Sequence, residues 1–311
     1  MSSRSGRRYG RRPAELGPLV DSRVVATTDT LREGTFPSRP RAPQSGPWAR
    51  HLELLWELVR RDVRARYRGS VLGIGWTLLN PLVFMLVYAL VFGSLLKVQG
   101  PSGKPYLVFL LSGLLAWTFF QQALVMAASS IIANAGVVRK VAFPWMLLTV
   151  STVTASLVNF LISLVLLVPF LIASHSPVGL PLLALPGLIV VTFGLCLGLG
   201  LMLAAGSVYF RDLQYIINLA TMVWFYLSPV IWPLSRYHGF FGHGKLGLLA
   251  HAIVYANPMT WVVVSFQDIF VFNRWPQHWH GLIYTTVLAV ALIWIGLLVF
   301  RRLRRRFAEE I

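Results

Sequence analysis

The stretch from 64 to 82 reads Arg64-Ala-Arg-Tyr-Arg-Gly-Ser-Val-Leu-Gly-Ile-Gly-Trp-Thr-Leu-Leu-Asn-Pro-Leu82. A densely basic segment here gives way to an apolar run, which continues to Leu96 without one charged residue. About 20 consecutive apolar residues are enough to cross the hydrocarbon core of a bilayer, and residues 71–96 exceed that length. Because a basic, water-facing helix runs directly into uncharged apolar sequence, the chain is predicted to be an integral membrane protein.

The acidic residues indicate how much of the chain is embedded. Of the 11 Asp and Glu residues, only Asp212 and Asp268 lie between positions 63 and 308. Hydrophobic residues make up 56% of the chain, more than a soluble domain can keep from water. The net charge of +17 comes from basic residues that flank apolar segments, which is typical of orientation signals in membrane proteins. We therefore expect no nucleic-acid partner.

The amino-terminal part divides into a tail and a helix. Residues 1–50 are rich in Arg, with scattered Pro, Gly and Ser, so we expect a disordered cytoplasmic tail. Residues 51–311 are assigned to a membrane domain. It begins with apolar residues repeating at three- and four-residue spacing, namely Leu52, Leu55, Trp56, Val59, Val63 and Tyr67. This pattern predicts an amphipathic helix over 51–69 that lies at the membrane interface.

Six spans are predicted within residues 71–300, followed by a cytoplasmic tail over 301–311. They cover about 71–96, 106–130, 145–173, 182–209, 215–232 and 281–300. The third is long enough to be tilted or broken near Pro169. Two shorter apolar pieces, 246–255 and 258–272, predict a re-entrant hairpin or outer-face helices around Asn257-Pro258. The fold class is therefore all-α.

Lys and Arg predict the orientation of these spans. If the amino terminus is cytoplasmic, the inner loops hold Arg139 and Lys140 and then Arg211, and the chain ends with five arginines over 301–306. The outer loop 175–181 has no Lys or Arg. Both termini of this multi-pass protein are therefore predicted to be cytoplasmic.

Catalytic residues are scarce in the sequence. Asp212 stands beside Arg211, which suggests a local ion pair, and Asp268 has no second acid near it in sequence. Enzymes that cleave or transfer sugars normally use paired carboxylates as acid and base. We therefore predict a protein without catalytic residues.

Metal and nucleotide sites are also not expected. The outer histidines, among them His278 and His280, lack the further ligands that define a metal site. Residues 239–245 imitate a phosphate-binding loop, but Leu246 stands where the Mg-binding hydroxyl is required. No cofactor is therefore expected to bind this chain.

Small residues recur along the predicted fourth span. They are Gly187, Gly194, Gly198 and Ala205. This spacing lets two helices approach closely. The pattern leaves open whether the partner helix belongs to the same subunit or to another.

Aromatic residues are dense at the ends of the spans, and the usual interfacial belt accounts for most of them. An aromatic ring stacks on the C–H face of a sugar while allowing the sugar to slide. The candidates for such sugar contacts are Phe84, Tyr88, Trp224 and Tyr226. We predict that these four line a conduit.

Several short motifs occur in a fixed order from about His51 to the end of the chain. They are Arg66-Tyr-Arg-Gly-Ser-Val-Leu-Gly73 with Trp76 and Asn80-Pro81, Arg139-Lys-Val-Ala-Phe-Pro144, Tyr209-Phe-Arg-Asp212, Ser228-Pro-Val-Ile-Trp-Pro233, Asn257-Pro258 and Phe307-Ala-Glu-Glu-Ile311. This set resembles the permease subunits of ABC-2-type exporters for O-antigen, teichoic acid and related cell-surface polysaccharides. Each motif is weak alone, but the ordered set is specific.

The resemblance implies a homodimer in the cytoplasmic (inner) membrane of a bacterium, paired with two copies of a separate ABC ATPase. ATP and Mg would be used by that partner, not by this chain. By position, residues 134–144 match the coupling loop of the family, with ATPase coupling assigned to Arg139, Lys140, Phe143 and Pro144. The amphipathic helix matches the interfacial gate helix. Arg139 and Lys140 can serve both coupling and orientation.

The function implied is export of a lipid-linked polysaccharide of the O-antigen, galactan or teichoic-acid type. Arg64, Arg66 and Arg68, with Tyr67, are then the gate for the lipid phosphate, because charge-assisted bonds hold phosphate well. Two alternatives remain: an ABC-2 permease for a drug or other small lipid-like substrate, and a membrane-embedded glycan-modifying enzyme. The basic motif and the amphipathic helix favour the polysaccharide.

Overall fold

The computed structural model describes residues 47–303, apart from residue 99 and the segments 139–143, 177–178, 211 and 241–244. This part of the chain is helical and has no β-strand. Five of its helical segments are long and apolar enough to cross a membrane, and a bent helix pair is a sixth candidate. The prediction of an all-α, multi-pass membrane protein is confirmed. The predicted tails at 1–46 and 304–311 lie outside the described residues.

The helices follow one another in a simple order. They are α1 (Pro47–Tyr67), α2 (Gly75–Tyr88, continued by a π-helix over Ala89–Leu95), α3 (Tyr106–Ser129), α4 (Ala135–Val138), α5 (Met146–Leu164), α6 (Leu167–Ala173), α7 (Leu185–Tyr209), α8 (Leu213–Tyr226), α9 (Leu234–Phe240), α10 (Lys245–Ala256), α11 (Pro258–Phe270) and α12 (Trp279–Leu303). Short 3-10 turns cover Pro101–Gly103, Ile132–Asn134 and Leu180–Ala184.

Helix α3 forms the centre of the subunit. In the most apolar stretch of α3, 78% of the residues are buried inside the protein. The corresponding share is 11% for the span that α2 begins and 17% for α12. It packs against α5, α7 and α11, and its buried side chains include Trp117 and Phe120. The apolar faces of α2 and α12 therefore remain available for lipid or for another protein chain.

Helices α7 and α12 form the most extensive helix pair. A Cβ atom at Gly198 would lie 2.7 Å from the backbone nitrogen of Ile293, and one at Gly296 would lie 2.7 Å from the carbonyl oxygen of Gly198. Gly187 has nothing within 4 Å of such an atom. The small residue at 198 therefore serves packing within the subunit, which the sequence pattern had left open.

The third candidate span, Met146–Ala173, is interrupted by two turn residues just before Pro169, near the position at which the sequence predicts tilting or a break. Helix α5 ends at Leu164 and α6 begins at Leu167. Pro169 has no N–H to donate to the carbonyl group of Val165, four residues earlier. That carbonyl instead accepts from the N–H of Val168 at 3.2 Å, so the helix tightens there.

The fifth predicted span, 215–232, differs from the structure. Helix α8 is 14 residues long and ends at Tyr226, because Pro229 lacks an amide hydrogen and the chain turns. The hydroxyl of Tyr237 donates to the carbonyl oxygens of Tyr226 at 3.3 Å and Ser228 at 3.0 Å. The helix end is thus satisfied by a side chain from α9. A 14-residue helix is only about 21 Å long, short of a full span.

The two short apolar pieces form α10 and α11, which meet at an angle of 71°. Asn257 lies at this bend, and its Oδ1 accepts from the amide of Met259 at 2.9 Å and from Nε1 of Trp224 at 2.7 Å. Its Nδ2 donates to Oγ of Ser228 at 2.9 Å. The Ser228 and Asn257 motifs, distant in sequence, therefore meet, and the two apolar pieces form two short helices that join at Asn257-Pro258, as predicted.

Replacing Asn257 with alanine should destabilise the protein by about 2–4 kcal/mol, since it removes a helix cap and leaves the indole N–H of Trp224 without an acceptor. Thermal unfolding of the purified chain in detergent measures this. Asn218→Ala is the matched control, because Asn218 is exposed and its amide bonds only its own helix, at Gln214. Equal melting of Asn257→Ala and wild type would contradict the assignment.

Candidate functional site

Helix α1 is attached to the membrane bundle by polar contacts as well as apolar ones. Oγ of Ser151, on α5, donates to Oδ2 of Asp62 at 2.9 Å. Nη2 of Arg61 contacts Oδ1 of Asp62 at 3.0 Å and also donates to Oδ1 of Asn134 at 2.9 Å. Val59 is buried on the inner face of the helix. The position of α1 is therefore set by contacts with α5 and with the turn that precedes α4.

Tyr67, predicted as a gate residue, joins three helices. Its hydroxyl donates to Oδ1 of Asn159 on α5 at 2.7 Å and is hydrogen-bonded to Oγ1 of Thr77 on α2. The connection between α1 and α2 contains Gly69 at φ 78° and Gly73 at φ 50°, backbone conformations that glycine adopts without steric cost. The two glycines let the chain reverse closely enough for Tyr67 to reach both neighbours.

The three gate arginines have different surroundings. Arg64 and Arg68 are exposed, whereas Arg66 is partly buried. Burial lowers the pKa of the Arg66 guanidinium, and the nearby acidic groups of Tyr67 and Asp62 oppose this shift. Arg66 has no hydrogen bond or ion pair within the described residues. A guanidinium remains charged in proteins, so Arg66 is a desolvated positive charge available to a ligand.

Arg66 and Tyr67 line a cavity of about 330 Å³ between α1, α2, α3 and α5, called here the gate cavity. Its polar wall includes Thr77, Asn80, Gln122 and Asn159, and its described lining holds no Asp or Glu. Asn159 lies 13 residues beyond Met146, at which α5 begins, or about 20 Å along the helix. The gate cavity therefore extends polar groups from the interfacial helix well into the span.

Three of the four predicted conduit aromatics lie together. Phe84, Tyr88 and Tyr226 line a second cavity of about 220 Å³ between α2, α3 and α8. The ring centroids of Phe84 and Tyr88 are 6.5 Å apart. Trp224 lies elsewhere: it packs edge-on against Phe120 at 5.0 Å and bonds the α10–α11 bend. Its contacts are those of a residue that holds helices together.

The predicted coupling residues are only partly described. Arg139, Lys140 and Phe143 lie outside the described residues. Pro144 is partly buried, and its carbonyl oxygen accepts from the amide of Leu147 at 2.9 Å in the first turn before α5. Their role in ATPase coupling stays a prediction.

Sequence reasoning left Asp268 without a partner, and the structure supplies one. Its carboxylate is buried and accepts from Nη2 of Arg274 at 2.7 Å and from the amide of Gln277 at 3.0 Å. The pair closes the segment that links α11 to α12. The signal was present, since Arg274 is the nearest basic residue after Asp268.

Asn159 was also missed, although an asparagine within an apolar span is expensive to bury and usually has a function. Only the tertiary structure places it beside Tyr67.

The histidines that the sequence analysis set aside as metal ligands contact aromatic rings. The ring centroid of His278 lies 5.6 Å from that of Trp261, and the ring centroid of His280 lies 3.5 Å from that of Trp279.

Comparison with known proteins agrees with this architecture. Residues 53–271 match the family model for the ABC-2 type transporter. The chain is 34% identical over 258 residues to the O-antigen export system permease protein RfbA of Myxococcus xanthus, covering 83% of this chain and 95% of that protein. A Klebsiella pneumoniae protein of the same name is 30% identical to this chain over 263 residues. The match covers 83% of this chain and 94% of the Klebsiella protein.

The family match begins inside α1 and ends just after α11, so it includes most of α1 and the spans that precede α12. These matches confirm the resemblance seen in the sequence motifs, and they agree with a transport subunit rather than an enzyme. The chain belongs to the ABC-2 type transporter family.

Proposed function

We propose that this chain is the membrane permease subunit of an ATP-driven exporter of lipid-linked polysaccharide. The observation that carries the proposal is the position of Arg66, a partly buried positive charge that has no ion pair within the described residues and lies at a cavity whose described lining holds no acid. Such a site attracts an anionic group at the membrane interface. The O-antigen export permeases to which the chain is similar support a polysaccharide as the cargo.

The partners follow from the family and from the surface. A transporter of this family works with an ABC ATPase, and we propose two copies of it together with a second copy of this chain. Apolar side chains of α2 and α8 support the second copy, because Phe84, Met222 and Tyr226 are all more than half exposed. The cavity they line would then face the partner subunit. The proposed location is the bacterial inner membrane, with both termini cytoplasmic.

In this proposal the lipid remains in the bilayer while its phosphate group reaches Arg66. Arg64 lies exposed on the same helix and Arg68 lies exposed directly after its end, and both attract the anion from the membrane surface. The sugar chain then passes along the aromatic cavity of Phe84, Tyr88 and Tyr226, whose rings support sliding contacts. Movement reaches α1 through Asn134, which accepts from Arg61 and precedes the predicted coupling residues.

Arg66→Gln is expected to reduce export about tenfold or more, because a charge-assisted bond to phosphate is lost. The measurement is surface polysaccharide in a strain whose only copy carries the variant, together with co-purification of the ATPase to verify assembly. Arg64→Gln and Arg68→Gln are matched controls that remove the same charge from exposed positions, and a smaller loss is expected from each.

Wild-type export by Arg66→Gln would contradict the gate assignment. Depletion of the chain separates the cargo classes, since a polysaccharide exporter should leave a lipid-linked polymer in the cytoplasmic leaflet. Export of a drug or another small lipid-like compound would produce no such polymer.

A further inference from the structure

Three segments meet at the end of the bundle where α3 begins, and they enclose a cavity of about 230 Å³, called here the outer polar cavity. They are the turn before α3, the start of α9 and the link from α11 to α12, which contribute Ser102, Ser235 and Arg274 respectively. The predicted coupling residues come after the opposite end of α3. Because α3 is long enough to cross the membrane, the cavity lies on the outer side in the proposed orientation.

Gln267, on α11, brings an unused acceptor to this cavity. The residue is 3% exposed, and its Nε2 donates to the carbonyl oxygen of Pro229 at 2.8 Å. No donor within the described residues reaches its Oε1. The one fully enclosed side-chain nitrogen or oxygen without a partner in the described chain is Nδ2 of Asn159, so Oε1 of Gln267 opens onto the cavity that it lines. Buried polar atoms are nearly always paired, and here the partner must come from the cavity.

The neighbouring polar groups add further donors and acceptors. Within the described residues, Oδ2 of Asp268 accepts only from the amide of Gln277, so it keeps a free lone pair. Arg274 bonds Asp268 through Nε and Nη2, which leaves Nη1 uncommitted there. The ring nitrogens of His278 have no hydrogen bond to the described chain either. Each hydroxyl group of a sugar both donates and accepts, so neighbouring sugar hydroxyls match this set.

The charges at the outer polar cavity favour a neutral ligand. The carboxylate of Asp268 and the guanidinium of Arg274 are 2.7 Å apart, and they cancel each other's charge. An anion would therefore gain little from Arg274 and would be repelled by Asp268. This distinguishes the outer polar cavity from the gate cavity, whose described lining holds Arg66 and no acid.

A second cavity, of about 500 Å³, adjoins the first, because His278 lines both. Its other walls are mainly aromatic and include Tyr255, Trp261 and Tyr284. Nε1 of Trp261 donates to the carbonyl oxygen of Tyr255 at 3.0 Å, and the hydroxyl of Tyr284 donates to that of Ala256 at 2.8 Å. These bonds hold the two rings in place, so they offer fixed apolar faces. Such faces suit the C–H faces of sugar rings.

We propose that the two cavities form one outer carbohydrate site. Hydroxyl groups of a neutral sugar unit pair with Gln267, Asp268 and His278, and a neighbouring unit stacks on Trp261 and Tyr284. The inference rests on the proposed function for the delivery of the glycan, and it adds a place that holds the polymer after it has crossed. No residue lines both this site and the aromatic cavity between α2, α3 and α8.

The test uses the full chain with its ATPase in lipid nanodiscs, with saturation-transfer NMR to detect sugar binding and empty nanodiscs as the blank. The probes are neutral trisaccharides of galactose, mannose and glucose, and trigalacturonate as an anionic counterpart. At least one neutral trisaccharide should bind, and trigalacturonate should bind more weakly than the galactose trisaccharide. Absence of binding by all three neutral trisaccharides would overturn the inference.

His278→Leu should weaken trisaccharide binding about fivefold, the loss expected for one or two neutral hydrogen bonds. His278 is exposed and has no hydrogen bond to the described chain, so the melting temperature should not change. His278→Gln keeps a side chain that donates and accepts, and it should retain most of the binding. His51→Leu, at an exposed histidine on α1, is the matched control and should bind like wild type. Equal binding by His278→Leu and wild type would also overturn the inference.

Tyr284→Leu tests the aromatic part of the site. It removes one ring and should weaken trisaccharide binding about threefold. Trp294→Leu is the control on the same helix, because Trp294 is 66% exposed and lines neither cavity. Equal binding by the two variants would exclude stacking on Tyr284.

The outcomes separate this inference from the proposed function. If depletion of the chain leaves a lipid-linked polymer in the cytoplasmic leaflet but no neutral trisaccharide binds, the proposed function stands and the inference fails. If a trisaccharide binds and His278→Leu loses it, but depletion leaves no such polymer, the outer carbohydrate site stands and the proposed cargo is contradicted.

Discussion

Replacing Gly198 with valine is expected to prevent stable assembly of the membrane domain. Even a Cβ atom at this position would meet backbone atoms of α12 at 2.7 Å, and a backbone cannot move aside as a flexible side chain can. Overpacking of this kind costs about 3 kcal/mol or more. Loss of purified, monodisperse protein and a lower melting temperature in detergent are the expected results.

Gly187→Val is the matched control, because it lies on the same helix with no atom within 4 Å of an added Cβ. It should express and melt like wild type. If both variants behave alike, α7 and α12 do not pack as closely as described. A selective effect at Gly198 would support the packing of these helices within one subunit.

Replacing Arg274 with methionine should have the second large effect on stability. It leaves the Asp268 carboxylate, whose side chain is 2% exposed, without its cation at 2.7 Å. Breaking a fully buried ion pair by removing one partner costs about 3–5 kcal/mol, and we expect a smaller loss here because the Arg274 side chain is 45% exposed. Thermal unfolding measures the loss, and the double variant Asp268→Leu with Arg274→Met should recover much of it, because no buried charge then remains.

Arg60→Met is the control for this pair. Arg60 contacts Glu57 at 3.7 Å with both side chains at least half exposed, and such surface pairs contribute about 0–1 kcal/mol. If Arg274→Met costs no more than Arg60→Met, the Asp268–Arg274 pair does not stabilise the link between α11 and α12.

Helix α1 connects the two halves of the proposed mechanism. Within its last two turns Arg61 bonds Asn134, and at its carboxyl end Tyr67 reaches Asn159 and Thr77. A displacement near the predicted coupling residues would therefore change the position of α1 and, with it, the wall of the gate cavity. This contact path joins the proposed phosphate site to the side of the membrane on which the ATPase is expected.

Much of the fold could be predicted from the sequence, because a bilayer makes strong demands on composition. Membrane helices were predicted from the apolar run after Arg68 and from the rarity of acidic residues, and the structure has them. Two short helices around Asn257 were predicted from the paired apolar segments, and the structure has these as well. The end of α8 could not be predicted in the same way. Its apolar sequence continues to Trp232, and although Pro229 interrupts it, the carbonyl groups at the helix end are satisfied by a hydroxyl that Tyr237 brings from another helix.

A cluster of positive charge near the membrane interface could also be predicted, since basic residues beside an apolar run are visible in a linear sequence. Their individual roles could not. Arg64, Arg66 and Arg68 look equivalent in the sequence. Only the tertiary structure shows that Arg66 is partly buried whereas Arg64 and Arg68 are exposed. The glycines at 187 and 198 also look alike, yet just one meets a backbone. Periodicity and charge are local properties of the chain, whereas burial and hydrogen-bond partners depend on which distant segments come together.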